Sequence, residues 1–538
     1  MPTRKKLLKI SFFLLLSLAT NFIQAQSGYL PLNNEQLLRF EKDIYELDIE
    51  KHNSIKPYPK KYISKKEVQN QEDNKKFNLL NPNQSFLNLE KNKVRFAANP
   101  ILYNQLLLVQ NDKNQYGEAL NGIWLEADFG EKLNAEIMYA EGVGRFNGYR
   151  RNIVNEYNAV PGMGYYYPNN NGGGQFRFLQ AQVSYTPSKY FNATLGNGKN
   201  FFGEGYRSLL LSDNANNHPY LRLSTNIWKL KYVNVFSNFS DTRFSDGIRS
   251  KFYNKMSATH YLSYNVNKKL NISIFETVVW ESRDTSGAFN YDYTYLNPVI
   301  FYRPVEYAMG SPDRVLIGAN ISYNFNGKNI LYGQMVLDEF IAKEIRADIV
   351  AAVRQDTSIV SGWWGNKYGF QLGFKALDLF KIDGLRWQTE INLVRPYTYT
   401  HGSVYQSYTH FSQPLAHPLG ANFYEFLSIL HYQNKRWIFR AQGNYQIVGK
   451  DSGENFGNNL MVSYNSRPFE HGHRIGQGER NNILYTDFSV NYLLNQKSNL
   501  SLEAGFTNRM LTVNENRKHE RFVYFGIKSL LFNSYFDR

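Results

Sequence analysis

From about Val94 onward, apolar and polar residues alternate with a period of two. Leu133, Ala135, Ile137 and Tyr139 interleave with Lys132, Asn134 and Glu136. Leu179, Ala181, Val183 and Tyr185 interleave with Gln180, Gln182 and Ser184. The same rhythm returns at Ile317–Phe325, Leu385–Leu393, Trp437–Tyr445 and Leu500–Phe506. Neighbouring side chains of a strand point to opposite faces, so each of these segments is predicted to be a strand with one apolar and one polar face. Lipid outside and water inside suit that dyad pattern. A soluble sandwich would have to find a partner for every apolar face.

The connections carry the same message. Tight turns are predicted at Pro187-Ser188-Lys189, Asn326-Gly327-Lys328, Gln433-Asn434-Lys435 and Asn495-Gln496-Lys497-Ser498. Long segments rich in Gly, Asn and Tyr fall at about 142–175, 341–364, 396–422 and 449–481. Short turns alternating with long loops are the outer-membrane signature. The expectation is an all-β, transmembrane antiparallel barrel of about 18 strands, in the range of about 16 to 18, with an even count. The final strand is read at Arg521–Phe532, followed by Tyr535-Phe536-Asp537-Arg538. The nearest aromatic stands third from the end, an imperfect form of the terminal aromatic read by the outer-membrane insertion machinery.

The first part of the chain departs from this rhythm. Arg4, Lys5, Lys6 and Lys9 precede a short apolar run, Ile10 to Ala19, and Ile23-Gln24-Ala25 ends on a small residue. This is the form of a secretory signal peptide, residues 1–25, with cleavage after Ala25; the run is too short to anchor a membrane. Residues 26–93 read as a periplasmic helical segment and basic linker. Leu37, Phe40, Ile44 and Leu47 have helical spacing behind Asn34 as N-cap, and Lys56 to Lys66 follow. Residues 94–538 are the barrel.

Composition sharpens the picture. The 538 residues are 42% hydrophobic, yet mean hydropathy is -0.50, as expected when apolar residues are dispersed. Tyr 40 and Phe 38 would supply aromatic girdles at the two interfaces. The formal net charge is +15, and loss of the leader would remove four basic residues. With no cysteine, neither a disulfide framework nor a cysteine-linked lipid anchor is possible. Export argues against nucleic acid as the reason for the basic balance.

Chemistry is sparse. Gly198-Lys199 through Gly203-Glu204 lacks the Gly-Lys-Ser/Thr of a phosphate loop. His471-Gly472-His473 and Glu470 lack a further metal ligand at defined spacing. Asp338-Glu339 points its carboxylates to opposite sides of an extended chain, and His417 has no catalytic constellation around it. No enzyme activity, metal or cofactor is expected.

The most unusual stretch is Gly196-Asn197-Gly198-Lys199-Asn200-Phe201-Phe202-Gly203-Glu204-Gly205-Tyr206-Arg207-Ser208, continuing through Leu211-Ser212-Asp213-Asn214-Ala215 to Pro219 and Leu223. It resembles the Wzi-like capsule assembly outer-membrane proteins of the Bacteroidetes type. Leu337-Asp338-Glu339-Phe340 and Phe301-Tyr302-Arg303-Pro304 support the likeness. The resemblance implies a non-enzymatic, lectin-like barrel in the cell outer membrane that binds or anchors capsular or extracellular polysaccharide; a monomer is expected. Aromatic faces and Asn, Asp and Arg side chains suit sugars, and Tyr206, Arg207, Asp213, Asn214, Trp363 and Trp364 are the candidate polysaccharide-binding residues. The alternatives are an outer-membrane component of gliding motility or adhesion machinery, and a porin-type channel.

Overall fold

The computed structural model describes residues 28–63, 84–282, 293–297, 313–339, 341–354, 356, 358–529 and 531–538. The leader with Ala25, Lys65-Lys66, the 301–304 segment and Phe340 lie outside the described residues.

Eighteen antiparallel strands close a barrel. They are β1 Val94–Val109, β2 Tyr116–Phe129, β3 Leu133–Arg145, β4 Gly174–Ser188, β5 Phe191–Gly198, β6 His218–Ile227, β7 Leu230–Asp241, β8 Tyr253–Asn265 and β9 Leu270–Glu281. The second half is β10 Arg314–Asn324, β11 Asn329–Glu339, β12 Lys367–Leu377, β13 Leu385–Val394, β14 Phe423–Asn434, β15 Trp437–Lys450, β16 Glu479–Asn495, β17 Leu500–Val513 and β18 Asn516–Lys528. Closure runs from Phe522 opposite Val109 to Lys528 opposite Tyr103. A further short strand, Leu87–Lys91, pairs with the start of β1 around Asn92 and Lys93, both with positive φ. The wall pairing thus begins slightly ahead of the point where the alternation becomes visible.

The two faces of the wall are inverted relative to a water-soluble protein. Outward-facing Leu195, Leu108 and Phe488 are 66%, 55% and 54% exposed. Inward-facing Asn134, Ser184, Asn392 and Asn491 are fully buried. Lipid satisfies the first set, and the closed hydrogen-bond ladder leaves no backbone group for lipid to meet. Outward aromatics gather near the wall's two rims. Trp437 meets Tyr492 edge-on at 4.9 Å near the short turns, and Tyr368 and Phe370 sit 5.4 Å apart towards the long loops. All four tight turns lie at one end of the barrel and the long loops at the other, which by the usual asymmetry are the periplasmic and external ends.

Five segments occupy the lumen, one of them the β3–β4 connection, whose Val154, Val160 and Met163 are buried in one cluster with Phe532. Residues 28–63 enter at the short-turn end. The sequence predicts one helix there; the structure has two short ones, α1 Asn34–Leu38 and α2 Glu41–Ile44. Asn33 rather than Asn34 is the cap, its side chain accepting from the Gln36 N–H at 2.9 Å. The break between them follows from anchorage. Glu35 pairs with Lys528 of β18 at 2.8 Å and Glu41 with Lys375 of β12 at 3.4 Å, so successive turns are held by different walls. Leu30, Leu37, Ile44 and Tyr45 pack against Ile330, Tyr332 and Leu377 on the inner wall.

From the opposite end, the β5–β6 connection (199–217) and the β13–β14 connection (395–422) fold inward. Leu209, Leu210, Leu211 and Ala215 of the first join Tyr399, Tyr408, Leu415 and Ala416 of the second in a buried apolar cluster. Residues 529–538 turn back from β18 into the lumen, where Phe532 stacks on Phe178 at 3.9 Å. A cavity of about 260 Å³ remains between the N-terminal segment and these residues.

Candidate functional site

Two places bring the singled-out residues into contact with chemistry. The first lies deep in the lumen. Gly203 has φ +134 and a Cβ there would collide with the Gln334 amide, so only glycine lets the chain pass this close to β11. Beyond it, Arg207 is 1% exposed. Its guanidinium bonds Glu425 at 3.2 Å and Asp537 at 3.0 Å. Glu425 also receives the His417 ring at 2.7 Å, Asn392 at 3.0 Å and Gln446 at 2.9 Å. The backbone N–H groups of Tyr206 and Arg207 both donate to Glu390. Glu204 accepts from Tyr45 at 3.1 Å, and Lys56 reaches the Gly205 carbonyl at 3.2 Å.

Asp213 accepts from Tyr535 at 2.9 Å and Asn533 at 2.7 Å. The Asn214 amide donates to the Pro414 carbonyl at 2.9 Å. The motif is therefore a junction at which the wall and three other lumen segments meet. Its carboxylates are engaged by the protein, as buried charges must be, while Arg207 Nε and Nη1 are buried with no hydrogen-bond partner among the described residues.

The second place is on the long-loop face. The loop between β11 and β12, containing helix α3 (Ala342–Arg354), crosses the loop between β15 and β16. Backbone bonds from Trp364 N–H to Glu470 O (3.0 Å) and His473 N–H to Gly362 O (2.9 Å) fasten them together. The Trp364 indole N–H donates to Glu470 at 2.8 Å. The Arg467 guanidinium lies 4.1 Å from the Trp364 ring centroid, and its terminal nitrogen pairs with Glu470 at 2.5 Å. Tyr464 lies 4.8 Å from Trp364, and the Lys367 ammonium sits 4.0 Å from the Tyr464 ring. Trp363 flanks Trp364 at 5.8 Å and accepts from Arg395 through its carbonyl at 3.2 Å.

Trp363, Trp364, Tyr464 and Arg467 are all half-buried, held from behind with part of each surface free. The Arg467 hydrogen bond keeps the Glu470 carboxyl below its ordinary range, so Glu470 remains an acceptor. Burial pushes the His401 imidazole, edge-on to Tyr464 at 5.9 Å, down to about 4. This is a ring-and-cation surface bordered by hydrogen-bonding groups, a combination that can stack on a flat apolar face and bond hydroxyls around it.

The structure thus divides the six candidates. Tyr206, Arg207, Asp213 and Asn214 meet inside the barrel, while Trp363 and Trp364 stand on the external loops. The sequence reading missed Arg467, Tyr464, Lys367 and Tyr397, the last edge-on to Trp364 at 6.3 Å. They come from two long loops and from the start of β12, remote in sequence, and the only available signal was that the long loops share one end. His473 bonds the Phe469 carbonyl at 2.9 Å and Gln477 at 2.8 Å, while His471 faces Glu344 at 3.7 Å. Asp338 bonds Arg314 and the Tyr399 N–H inside the lumen.

No protein-family model and no curated protein sequence matches the chain. Solved structures do. Wzi, an outer-membrane protein involved in group 1 capsule assembly in Escherichia coli and described as a carbohydrate-binding β-barrel, superposes with a TM-score of 0.52 at 11% identity. The match covers 94% of this chain and 99% of that one. OccK3 (OpdO) of Pseudomonas aeruginosa gives a TM-score of 0.42 at 9% identity, covering 81% and 95%. OccAB4 of Acinetobacter baumannii gives 0.41 at 8%, covering 82% and 98%. The chain has the closed antiparallel barrel fold of outer-membrane proteins, and its place is the outer membrane.

Proposed function

We propose that this barrel holds capsular or extracellular polysaccharide at the cell surface, without catalysing a reaction on it, as a Wzi-like capsule assembly protein. In this reading residues 1–25 are an export leader cleaved after Ala25. Residues 26–93 are the segment that precedes the barrel, of which 28–63 enter the periplasmic mouth, and residues 94–538 are the barrel delivered by the insertion machinery as a monomer.

The observation that carries the reading is the half-buried Trp364–Tyr464–Arg467 surface on the long-loop face, presented above a lumen filled by the chain itself. A solute channel needs an open water path, whereas a polymer-holding barrel needs an outward face and a rigid support. The carbohydrate-binding description of Wzi points the same way. The glycine-rich stretch at Gly196–Leu223 serves the support.

The test is glycan-array binding by the refolded mature barrel, paired with deletion of its gene. Binding to an acidic or neutral polysaccharide, with polymer made normally but shed into the medium, is the expected result. Unchanged retention of polymer on the deletion strain, or steady single-channel conductance with no glycan bound, would overturn the proposal. Loss of surface motility with normal polymer would favour a motility role instead.

A further inference from the structure

Above the lipid-facing belt at the external end, the outward positions of β16–β18 change character within one or two residues. On β18, Phe525 and Val523 are 45% and 47% exposed and face lipid. The next outward positions are Arg521, His519 and Arg517, all exposed. On β17, Phe506 is followed by Asn508, Met510 and Thr512, and on β16, Phe488 is followed by Thr486, Leu484, Asn482 and Arg480. Arg521 lies about 7 Å along the strand from Val523, the depth at which hydrocarbon gives way to headgroups.

Cross-strand register sets these side chains side by side on one outer surface: Arg517 stands opposite Thr512, which stands opposite Asn482, and Arg521 stands opposite Asn508. Asn508 accepts from Arg521 at 3.0 Å and Asn482 from Arg480 at 3.4 Å. These amides orient the guanidiniums without neutralising them. None of the three arginines pairs with a carboxylate among the described residues. Of the nearby acids, Glu515 and Glu479 are exposed and form no ion pair among the described residues, and two others are engaged. Glu520 faces inward and caps the Tyr149 N–H at 2.8 Å, and Asp112 accepts from Asn114 and Tyr116 at 2.7 Å each. Elsewhere on the rim, the outward Arg177 is matched by Glu141 at 3.4 Å.

We infer that the outer wall of β16–β18 binds an anionic, phosphate-bearing lipid headgroup of the outer leaflet through Arg480, Arg517 and Arg521. Forked guanidiniums suit phosphate oxygens better than any other side chain. The acyl chains of such a lipid would lie on Val523, Phe525, Phe506 and Phe488 directly below. This continuity with the lipid-facing belt favours a membrane lipid over a soluble acidic polymer, and the inference stands independently of the polysaccharide proposal.

The experiment is native mass spectrometry of the refolded barrel from phosphatidylcholine nanodiscs doped with lipid A or with phosphatidylglycerol. The wild type is expected to retain the anionic lipid in excess of phosphatidylcholine. Retention of lipid A above phosphatidylglycerol identifies a phosphorylated glycolipid, and the reverse identifies a glycerophospholipid. R480Q/R517Q/R521Q should lower retention about tenfold, the triple lysine variant should fall between, and R249Q/K251Q on the β7–β8 connection should match wild type. Unheated-gel mobility verifies that each variant is folded. Equal retention by the glutamine variant, or displacement of the lipid by a soluble polyuronate, would overturn the inference.

Discussion

Inside the barrel, Arg207 is enclosed by Glu425, Asp537 and two tyrosine rings. On the outer loops, Arg467 lies over Trp364 with only Glu470 as its ion partner among the described residues. Both pair a guanidinium with aromatic faces and carboxylates, yet their settings give them opposite uses. The Arg207 arrangement is closed, and every carboxylate around it is satisfied by the chain. The Arg467 arrangement is half open, so a ligand can still add contacts. The pair shows that aromatic and charged residues alone do not mark a binding site; the share of their surface left uncommitted does.

The largest expected effect lies at the inner member. Arg207→Met leaves Glu425 and Asp537 buried without their cation, which costs about 3–5 kcal/mol. The midpoint of urea unfolding in detergent should fall accordingly, with weakened resistance to unfolding on unheated gels. Polysaccharide binding by the remaining folded fraction should persist. An unchanged midpoint would remove the distinction between the two places. Gly203→Ala should follow at about 1–3 kcal/mol, because it adds a side chain at φ +134 against Gln334.

The outer member is expected to respond in reverse. Trp364→Ala should weaken polysaccharide binding at least about tenfold, or about 1.4 kcal/mol, while moving the unfolding midpoint far less than Arg207→Met. Arg467→Lys keeps charge but loses the planar fork that lies on the ring, so about threefold weaker binding is expected from isothermal titration. Loss of stability without loss of binding in Trp364→Ala would assign that ring to support as well.

These contrasts bear on what the sequence could reveal. The alternation of Leu179, Ala181, Val183 and Tyr185 with polar neighbours made the wall legible, because a barrel in lipid imposes its period on every strand. Turn residues such as Asn326-Gly327-Lys328 fixed the short-turn end in the same way. The lumen was not legible. Nothing local in Gly203–Asn214 distinguishes a loop that folds inward from one that reaches outward, since Gly, Asn and Tyr serve both. The two-turn break near Phe40 was hidden for a related reason: anchors on β12 and β18 decide it, and they lie hundreds of residues away. Trp363 and Trp364 were legible as residue types. Their partners Tyr464 and Arg467 were not, because loop-to-loop contacts leave no periodic trace.

The smallest expected effect concerns pH and the loop that joins the two regions. His401 belongs to the β13–β14 connection, which packs against the Arg207 junction below and lies beside Tyr464 above. Burial holds its imidazole at about 4, against an ordinary 6.5. The unfolded loop therefore binds a proton that the packed loop refuses between those values. Loop packing should be fully stable above about pH 6.5 and weaken progressively as pH falls towards 4. Hydrogen exchange of the 395–422 backbone should accelerate over that window in wild type. In His401→Phe, which keeps an aromatic edge without a titrating nitrogen, the acceleration should shrink, and polysaccharide binding at neutral pH should stay the same. If exchange in the variant still accelerated by the full amount, the pH response would belong to another group, and His401 would be no more than a packing residue between the inner junction and the outer surface.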